Sequence, residues 1–177
     1  MKKFLLTLSM TALLLFTAGC SCPFSDKTAN SKPQMNTAAA SAAEVAPDFS
    51  YKELGSGKTM RLSDLKGKPV FINFWATWCP PCVSELPHIE KKYAEYKDKM
   101  HFVILSVDDN EQEPARFIQS KGYTFPAAYG DHQELGRAYG IDAIPASYII
   151  SADGHIVARI VGSMNESSLD AFLQKAF

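Results

Sequence analysis

Residues 70–82 read VFINFWATWCPPC, an apolar run that ends in the motif Cys79-Pro80-Pro81-Cys82. The first six residues, Val70 to Trp75, predict a buried strand because nearly all of them are large and apolar. The segment from Val83 to Tyr96 is rich in helix formers and predicts a helix. Cys79 is therefore expected at the N-terminal end of a helix, where the helix dipole and free N–H groups favour a thiolate.

The spacing of these two cysteines indicates redox chemistry. Two thiols three positions apart can close a disulfide with each other and exchange it with a partner, as in a thiol–disulfide oxidoreductase. A zinc site would need four ligands, but Cys20 and Cys22 lie far upstream and the four histidines show no paired ligand spacing. A purely structural disulfide would stabilise the fold little, because so short a loop gains little closure entropy.

The first 19 residues predict a secretory signal peptide. Lys2 and Lys3 precede an apolar stretch from Phe4 to Phe16, and small residues then lead to Cys20. The stretch is shorter than the about 20 apolar residues of a membrane-spanning helix. Small residues before a cysteine resemble a bacterial lipobox, which predicts cleavage before Cys20 and a lipid on its sulfur, although Thr17 stands where that pattern usually has Leu. Ordinary cleavage that releases the protein and an uncleaved N-terminal anchor are the alternatives.

Residues 20–46 predict a lipid-anchor cysteine followed by a flexible linker. The segment after Cys20 consists mainly of Ser, Ala, Thr, Asn, Lys and Pro and has few large apolar side chains. Such a composition cannot bury enough surface to fold, so the segment is expected to tether an anchor to a folded domain.

Residues 47–177 are expected to form one α/β domain. The chain of 177 residues is 46% hydrophobic and 21% charged, which suffices for one buried core, and its formal net charge of −1 gives no sign of nucleic-acid binding. Strands and helices alternate before a hairpin and a last helix, which indicates helices packed around a mixed sheet. The predicted strands are 48–53, 58–62, 70–75, 101–107, 125–129, 147–151 and 155–161, and the predicted helices are 83–96, 113–121, 133–139 and 167–176.

Several motifs of this domain resemble the thioredoxin superfamily, and within it the TlpA/ResA-like extracytoplasmic thioredoxins. The resemblance rests on Ala46-Pro47-Asp48-Phe49, Gly67-Lys68-Pro69-Val70, the stretch from Asn73 to Cys82, Glu85-Leu86-Pro87 and Ile144-Pro145. It covers the whole predicted domain and implies a thioredoxin fold, in which helices flank a mixed central sheet that carries an N-terminal β-hairpin extension. No cofactor and no metal are expected.

Three residues are the candidate catalytic groups. Cys79 is expected to attack as an exposed thiolate, and Cys82, one turn into the helix and more buried, is expected to resolve the mixed disulfide. Glu85 follows Cys82 by three residues, so helical spacing turns it back toward the thiols. In the family a glutamate here belongs to the active site, where a half-buried carboxylate would raise a thiol pKa and relay a proton. A surface glutamate near a helix start is the other interpretation.

Asn73 makes Glu85 more important to the expected chemistry. Cytoplasmic thioredoxins carry a buried aspartate six residues before the first cysteine, and in this chain that position is Asn73, which does not titrate. Glu85 is therefore the only acid–base group that the sequence predicts beside the thiols.

Three further residues are candidates for substrate binding. Pro145, which follows Ile144, resembles the superfamily's cis-proline that faces the disulfide, and an extended substrate segment is expected to pair with the Ile144 backbone. An ordinary loop proline is the alternative. Trp78 is expected at the exposed rim of the cysteine motif.

The resemblance implies a membrane-tethered thiol–disulfide oxidoreductase in the periplasm or on the outer face of the cell membrane. Its expected substrates are disulfides of extracytoplasmic proteins, such as apocytochrome c or methionine sulfoxide reductase. The electrons are expected from a membrane donor of the CcdA/DsbD type, and no nucleic acid is involved.

Three other functions are alternatives to this interpretation. A disulfide-forming oxidase is the close alternative, because the sequence specifies no reduction potential. A peroxiredoxin-like peroxidase usually carries a proline seven positions before its cysteine, and here Ile72 and Trp75 stand at those positions. A copper-binding scaffold that uses the two thiols as soft ligands is the non-enzyme alternative.

Overall fold

The computed structural model describes residues 44–177. The predicted signal peptide, the candidate lipidation site Cys20 and the linker up to residue 43 lie outside these described residues. Between Glu44 and Phe177, none of the helices combines the length and apolar character that crossing a membrane requires.

Every strand and helix predicted from the sequence is found, with ends that differ by a few residues. The strands are β1 (Ser50–Glu53), β2 (Thr59–Arg61), β3 (Val70–Trp75), β4 (His101–Ser106), β5 (Ala127–Tyr129), β6 (Ala146–Ile150) and β7 (Ile156–Val161). The helices are α1 (Pro80–Tyr96), α2 (Gln112–Lys121), α3 (His132–Tyr139) and α4 (Glu166–Leu173), with 3₁₀ turns at Leu62–Leu65 and Gln174–Ala176.

The seven strands form one mixed sheet in the order β2-β1-β5-β4-β3-β6-β7. The pairs β3–β4 and β4–β5 are parallel, and the other neighbouring pairs are antiparallel. The β1–β2 hairpin adds to the β5 edge, which confirms the predicted N-terminal hairpin extension. In the parallel pair Trp75 lies opposite Ser106, so the carboxyl ends of β3 and β4 lie side by side.

Strand β3 lies inside the domain because both faces of the sheet are covered. Successive side chains of a strand point to opposite faces. Phe71 and Trp75 pack in a core with apolar residues of α1 and α4. Ile72 and Phe74 pack in a second core with apolar residues of α3. A strand buried on both faces is apolar along its whole length, and all six residues of β3 are buried.

The described chain begins with a short pairing onto the β6–β7 hairpin. Val45 forms an antiparallel bridge with His155, and the Ile156 N–H donates to the Glu44 carbonyl oxygen at 2.7 Å. The Ala46 N–H donates to the Gly154 carbonyl oxygen at 2.9 Å. Residues 44–46, which were predicted to end the linker, therefore contact the folded domain.

Candidate active site

The cysteine motif lies where β3 leads into α1. Cys79 is the N-cap of α1 in an extended conformation, and Pro80 and Pro81 occupy the first two helical positions. Proline suits these positions because their N–H groups have no partner within the helix. Cys79 and Cys82 form a disulfide, and the Cys82 N–H donates to Cys79 Sγ at 3.3 Å. The predicted position of Cys79 at the helix start is confirmed.

The two cysteines differ in exposure less than the sequence suggested. Cys79 is 5% exposed and Cys82 is 1% exposed. The expectation of an exposed Cys79 is therefore wrong for the disulfide form, although Cys79 is the more exposed of the two residues. The Ile144 carbonyl oxygen, 3.8 Å from Cys79 Sγ, accounts for part of this cover.

The loop before β6 brings the candidate substrate-binding residues to the disulfide. The Ile144–Pro145 peptide bond is cis, as the resemblance implied. Trp78 is 64% exposed, in agreement with its predicted position at the rim. Trp78 and Ile144 line one groove of about 460 Å³, together with Val107 and Ile141. This groove lies beside the disulfide and presents an apolar surface to solvent.

Glu85 is fully buried on the α1 face of the sheet, with 1% of its surface exposed. Burial raises its pKa to about 7, although two hydrogen bonds oppose that rise. The Met164 N–H donates to Oε1 at 3.2 Å, and Asn73 Nδ2 donates to Oε2 at 3.5 Å. The interpretation of Glu85 as a surface residue is wrong, and the carboxylate is more deeply buried than the expected half-buried group.

Asn73 connects Glu85 to the strand that follows the cis-proline. Its Nδ2 also donates to Ser147 Oγ at 2.9 Å. Its Oδ1 is buried and has no hydrogen-bond partner within the described part of the chain. Glu85 therefore faces a small polar region built from Asn73, Ser147 and one backbone N–H, inside an otherwise apolar core.

A second buried carboxylate, Asp108, lies beside the motif and was not predicted. It accepts from Thr77 Oγ1 at 2.7 Å, from the Thr77 N–H at 3.2 Å and from Ser106 Oγ at 2.7 Å. Glu85 is therefore not the only buried carboxylate near the motif, since Asp108 contacts Thr77, two residues before Cys79. The position of Asp108 near Thr77 could have been predicted from the sequence, because residues just after the ends of neighbouring parallel strands lie together at one edge of the sheet.

Between Glu44 and Phe177, no three or more His, Cys, Asp or Glu side chains are grouped so that they could hold a metal ion.

The family model described as Redoxin matches residues 40–173. The chain belongs to the Redoxin family. It is 37% identical over 131 residues to the thiol–disulfide oxidoreductase ResA of Bacillus thuringiensis (strain Al Hakam). The aligned region covers 73% of this chain and 75% of that relative. This Redoxin protein is thus a ResA-like thiol–disulfide oxidoreductase, as the cysteine motif predicted.

Solved structures confirm the thioredoxin fold of this Redoxin protein. A thiol:disulfide interchange protein of the thioredoxin family from Chlorobium tepidum TLS superposes with a TM-score of 0.69 at 30% identity, covering 78% of this chain and 99% of that chain. The pneumococcal exposed lipoprotein thioredoxin Etrx1 from Streptococcus pneumoniae strain TIGR4 superposes with a TM-score of 0.65 at 27% identity. The superposition covers 73% of this chain and 99% of that chain.

Proposed function

We propose that this protein reduces disulfides of extracytoplasmic proteins through Cys79 and Cys82. The Cys79 thiolate attacks one sulfur of a substrate disulfide, and the other substrate sulfur leaves as a thiolate and takes up a proton. Cys82, once deprotonated, then attacks Cys79 Sγ and releases the second substrate sulfur. Two electrons pass to the substrate, and the Cys79–Cys82 disulfide remains. A membrane donor of the CcdA/DsbD type then returns two electrons.

One observation carries this proposal: the Cys79–Cys82 disulfide lies at the start of α1, with Cys79, the more exposed of the two cysteines, next to the Ile144–Pro145 loop. Cys79 at the helix N-terminus receives the field of the helix dipole, which stabilises a thiolate there. Cys82 is the more buried of the two cysteines and lies within bonding distance of Cys79 Sγ, the atom that it attacks to release the substrate. This asymmetry supports Cys79 as the attacking group and Cys82 as the resolving group.

Glu85 is proposed to carry the proton that this exchange requires. Cys82 must lose a proton before it attacks, and a carboxylate whose pKa is raised to about 7 binds and releases protons near neutral pH. Helical spacing turns Glu85 back toward Cys82, and its burial keeps bulk water from serving the same purpose. The negative charge of Glu85 would also oppose ionisation of the thiols until a substrate is bound.

The groove between Trp78 and Ile144 is proposed to hold the substrate chain around its cysteine. The Ile144 carbonyl oxygen, 3.8 Å from Cys79 Sγ, is positioned to accept from an N–H of an extended substrate segment. The exposed Trp78 ring offers a flat apolar surface that tolerates many side chains. Such recognition suits proteins with locally extended cysteine segments, including the proposed substrates apocytochrome c and methionine sulfoxide reductase.

The reducing direction predicts a low reduction potential for the Cys79–Cys82 couple. We expect a value nearer that of thioredoxin, about −270 mV, than that of the oxidant DsbA, about −120 mV. Equilibration with glutathione buffers and separation of the oxidised and reduced protein measure it. A value close to that of DsbA would support the disulfide-forming oxidase instead.

The membrane tether is proposed from the N-terminal sequence. Residues 1–19 would be removed as a signal peptide, Cys20 would carry lipid, and residues 20–46 would link the anchor to the domain of residues 47–177. The structural relative Etrx1 is itself described as an exposed lipoprotein thioredoxin, which supports this proposal.

Replacing Cys20 with Ala tests the tether. We expect the wild-type protein to fractionate with membranes and Cys20→Ala to be released from them or to remain an unprocessed precursor, because the acceptor of the lipid is gone. Cys22→Ala, two positions away, is the matched control and should stay with the membrane. A wild-type mature N-terminus beyond Cys20 in mass spectrometry would exclude the lipid anchor.

A further inference from the structure

Asp108 is a buried charged group for which the proposed reaction has no use. Its exposure is 0%, and no salt bridge within residues 44–177 includes it. The parallel register pairs Trp75 with Ser106, so Asp108, two residues past the end of β4, lies beside Thr77, two residues past the end of β3. Asp108 therefore lies at the carboxyl edge of the sheet, next to the loop that leads into the cysteine motif.

All the hydrogen bonds accepted by the Asp108 carboxylate hold this edge together. The Thr77 N–H lies 3.2 Å from both of its oxygens, and Thr77 Oγ1 donates to Oδ1 at 2.7 Å. Ser106 Oγ donates to Oδ2 at 2.7 Å and accepts from the Asp108 N–H at 3.1 Å. Burying a carboxylate costs free energy unless its hydrogen bonds are satisfied, and here they are satisfied chiefly by one loop residue.

We propose that Asp108 is a positioning residue of the active site, which fixes the loop Ala76-Thr77-Trp78 and thereby sets the redox equilibrium of Cys79 and Cys82. The inference rests on the proposed function, since it concerns the same two sulfurs. Asp108 acts on them through Thr77, whose N–H and hydroxyl both donate to its carboxylate.

The loop is held at three points, and Asp108 supplies the middle one. At its start the Val107 N–H donates to the Trp75 carbonyl oxygen at 2.9 Å, and at its end the Cys79 N–H donates to the Ala76 carbonyl oxygen at 3.2 Å. Without the anchor at Thr77, the short segment before Cys79 can move away from the position in which Cys79 meets Cys82.

The loss of this anchor shifts the redox equilibrium in one direction. A looser loop lowers the effective concentration of one thiol at the other, which makes the Cys79–Cys82 disulfide easier to reduce. The loss of Asp108 is therefore expected to make the reduction potential less negative.

The test is the reduction potential of the full chain and of Asp108→Asn, Thr77→Val and the double variant in glutathione buffers. Asp108→Asn keeps the size of the side chain and removes its charge, and Thr77→Val removes one donor and keeps the shape. We expect Asp108→Asn to lower the equilibrium constant for formation of the Cys79–Cys82 disulfide at least tenfold, which makes the reduction potential about 30 mV less negative. Thr77→Val should lower that constant less, and the double variant should match Asp108→Asn, because both changes act on one contact.

Ile150→Val is the control for loss of stability. Ile150 is buried at the opposite end of the sheet, paired with Val70, and its truncation should destabilise oxidised and reduced protein alike without moving the potential. If Asp108→Asn and Thr77→Val change the equilibrium constant of the Cys79–Cys82 disulfide less than twofold, Asp108 only stabilises the fold. The same conclusion follows if the effects of the two substitutions add. Should Asp108→Asn fail to fold, Thr77→Val alone decides by the same criterion. Absence of any titratable disulfide in the wild-type protein would instead overturn the proposed function.

Discussion

Cys79→Ser is expected to abolish reduction of protein disulfides, with a fall in rate of at least about a thousandfold. Serine cannot form the mixed disulfide, and Cys82, at 1% exposure, cannot reach an external sulfur in its place. The rate is measured by mixing the reduced protein with a protein that contains one disulfide and following the loss of that disulfide by mass spectrometry.

Cys22→Ser is the matched control for this loss, because Cys22 is outside the motif and should leave the rate unchanged. The unfolding transition of Cys79→Ser is compared with that of reduced wild-type protein, so that a folding defect is recognised. Substantial activity in a well-folded Cys79→Ser protein would mean that Cys82 or another group attacks the substrate.

Glu85→Gln is expected to slow turnover with protein substrates about tenfold to hundredfold, because the amide cannot carry a proton to or from Cys82. The variant removes a negative charge beside the thiols, so the pKa of the Cys79 thiol should fall at the same time. Stopped-flow alkylation across pH measures that pKa. Glu95→Gln, exposed toward the other end of α1, is the control. An unchanged thiol titration together with an unchanged rate would remove Glu85 from the mechanism.

The pH dependence of stability gives a second measure of Glu85. Burial raises its pKa from 4.5 to about 7 in the folded protein, so folding favours the protonated form. The stability that this group contributes is present below pH 4.5 and is lost as the pH rises through 7. The free energy of unfolding of the oxidised wild-type protein, relative to Glu85→Gln, should therefore fall by about 3 kcal/mol across that range. A constant difference would show that Glu85 does not titrate there.

The fold was predictable because its signals are local. Strand β3 is apolar except for Asn73, α1 begins with a proline pair, and Gly122 and Gly140 end α2 and α3 in the left-handed conformation that glycine adopts readily. The hairpin between β6 and β7 likewise contains Gly154 with a positive φ. Such features depend on residues that are neighbours in the sequence, so they can be predicted from the sequence.

The environment of the site was only partly predictable, because it depends on contacts between distant parts of the chain. Helical spacing indicated that Glu85 turns toward the thiols, but its buried carboxylate also accepts from the N–H of Met164, 79 residues away. Asp108 contacts Thr77 from 31 residues away. A backbone N–H donor leaves no mark in a sequence, and the low exposure of Cys79 results from packing in the disulfide form.

The most direct test of the central claim is the identity of the cysteine that joins a substrate when resolution is blocked. Full-length Cys82→Ser and Cys79→Ser proteins are produced in cells, thiols are blocked on lysis, and the disulfide-linked adducts are analysed by mass spectrometry. We predict that Cys82→Ser accumulates mixed disulfides between Cys79 and cysteines of extracytoplasmic proteins, because no thiol remains to release them. Adducts that form equally well in Cys79→Ser, through Cys82, would contradict the assignment of Cys79 as the attacking thiol.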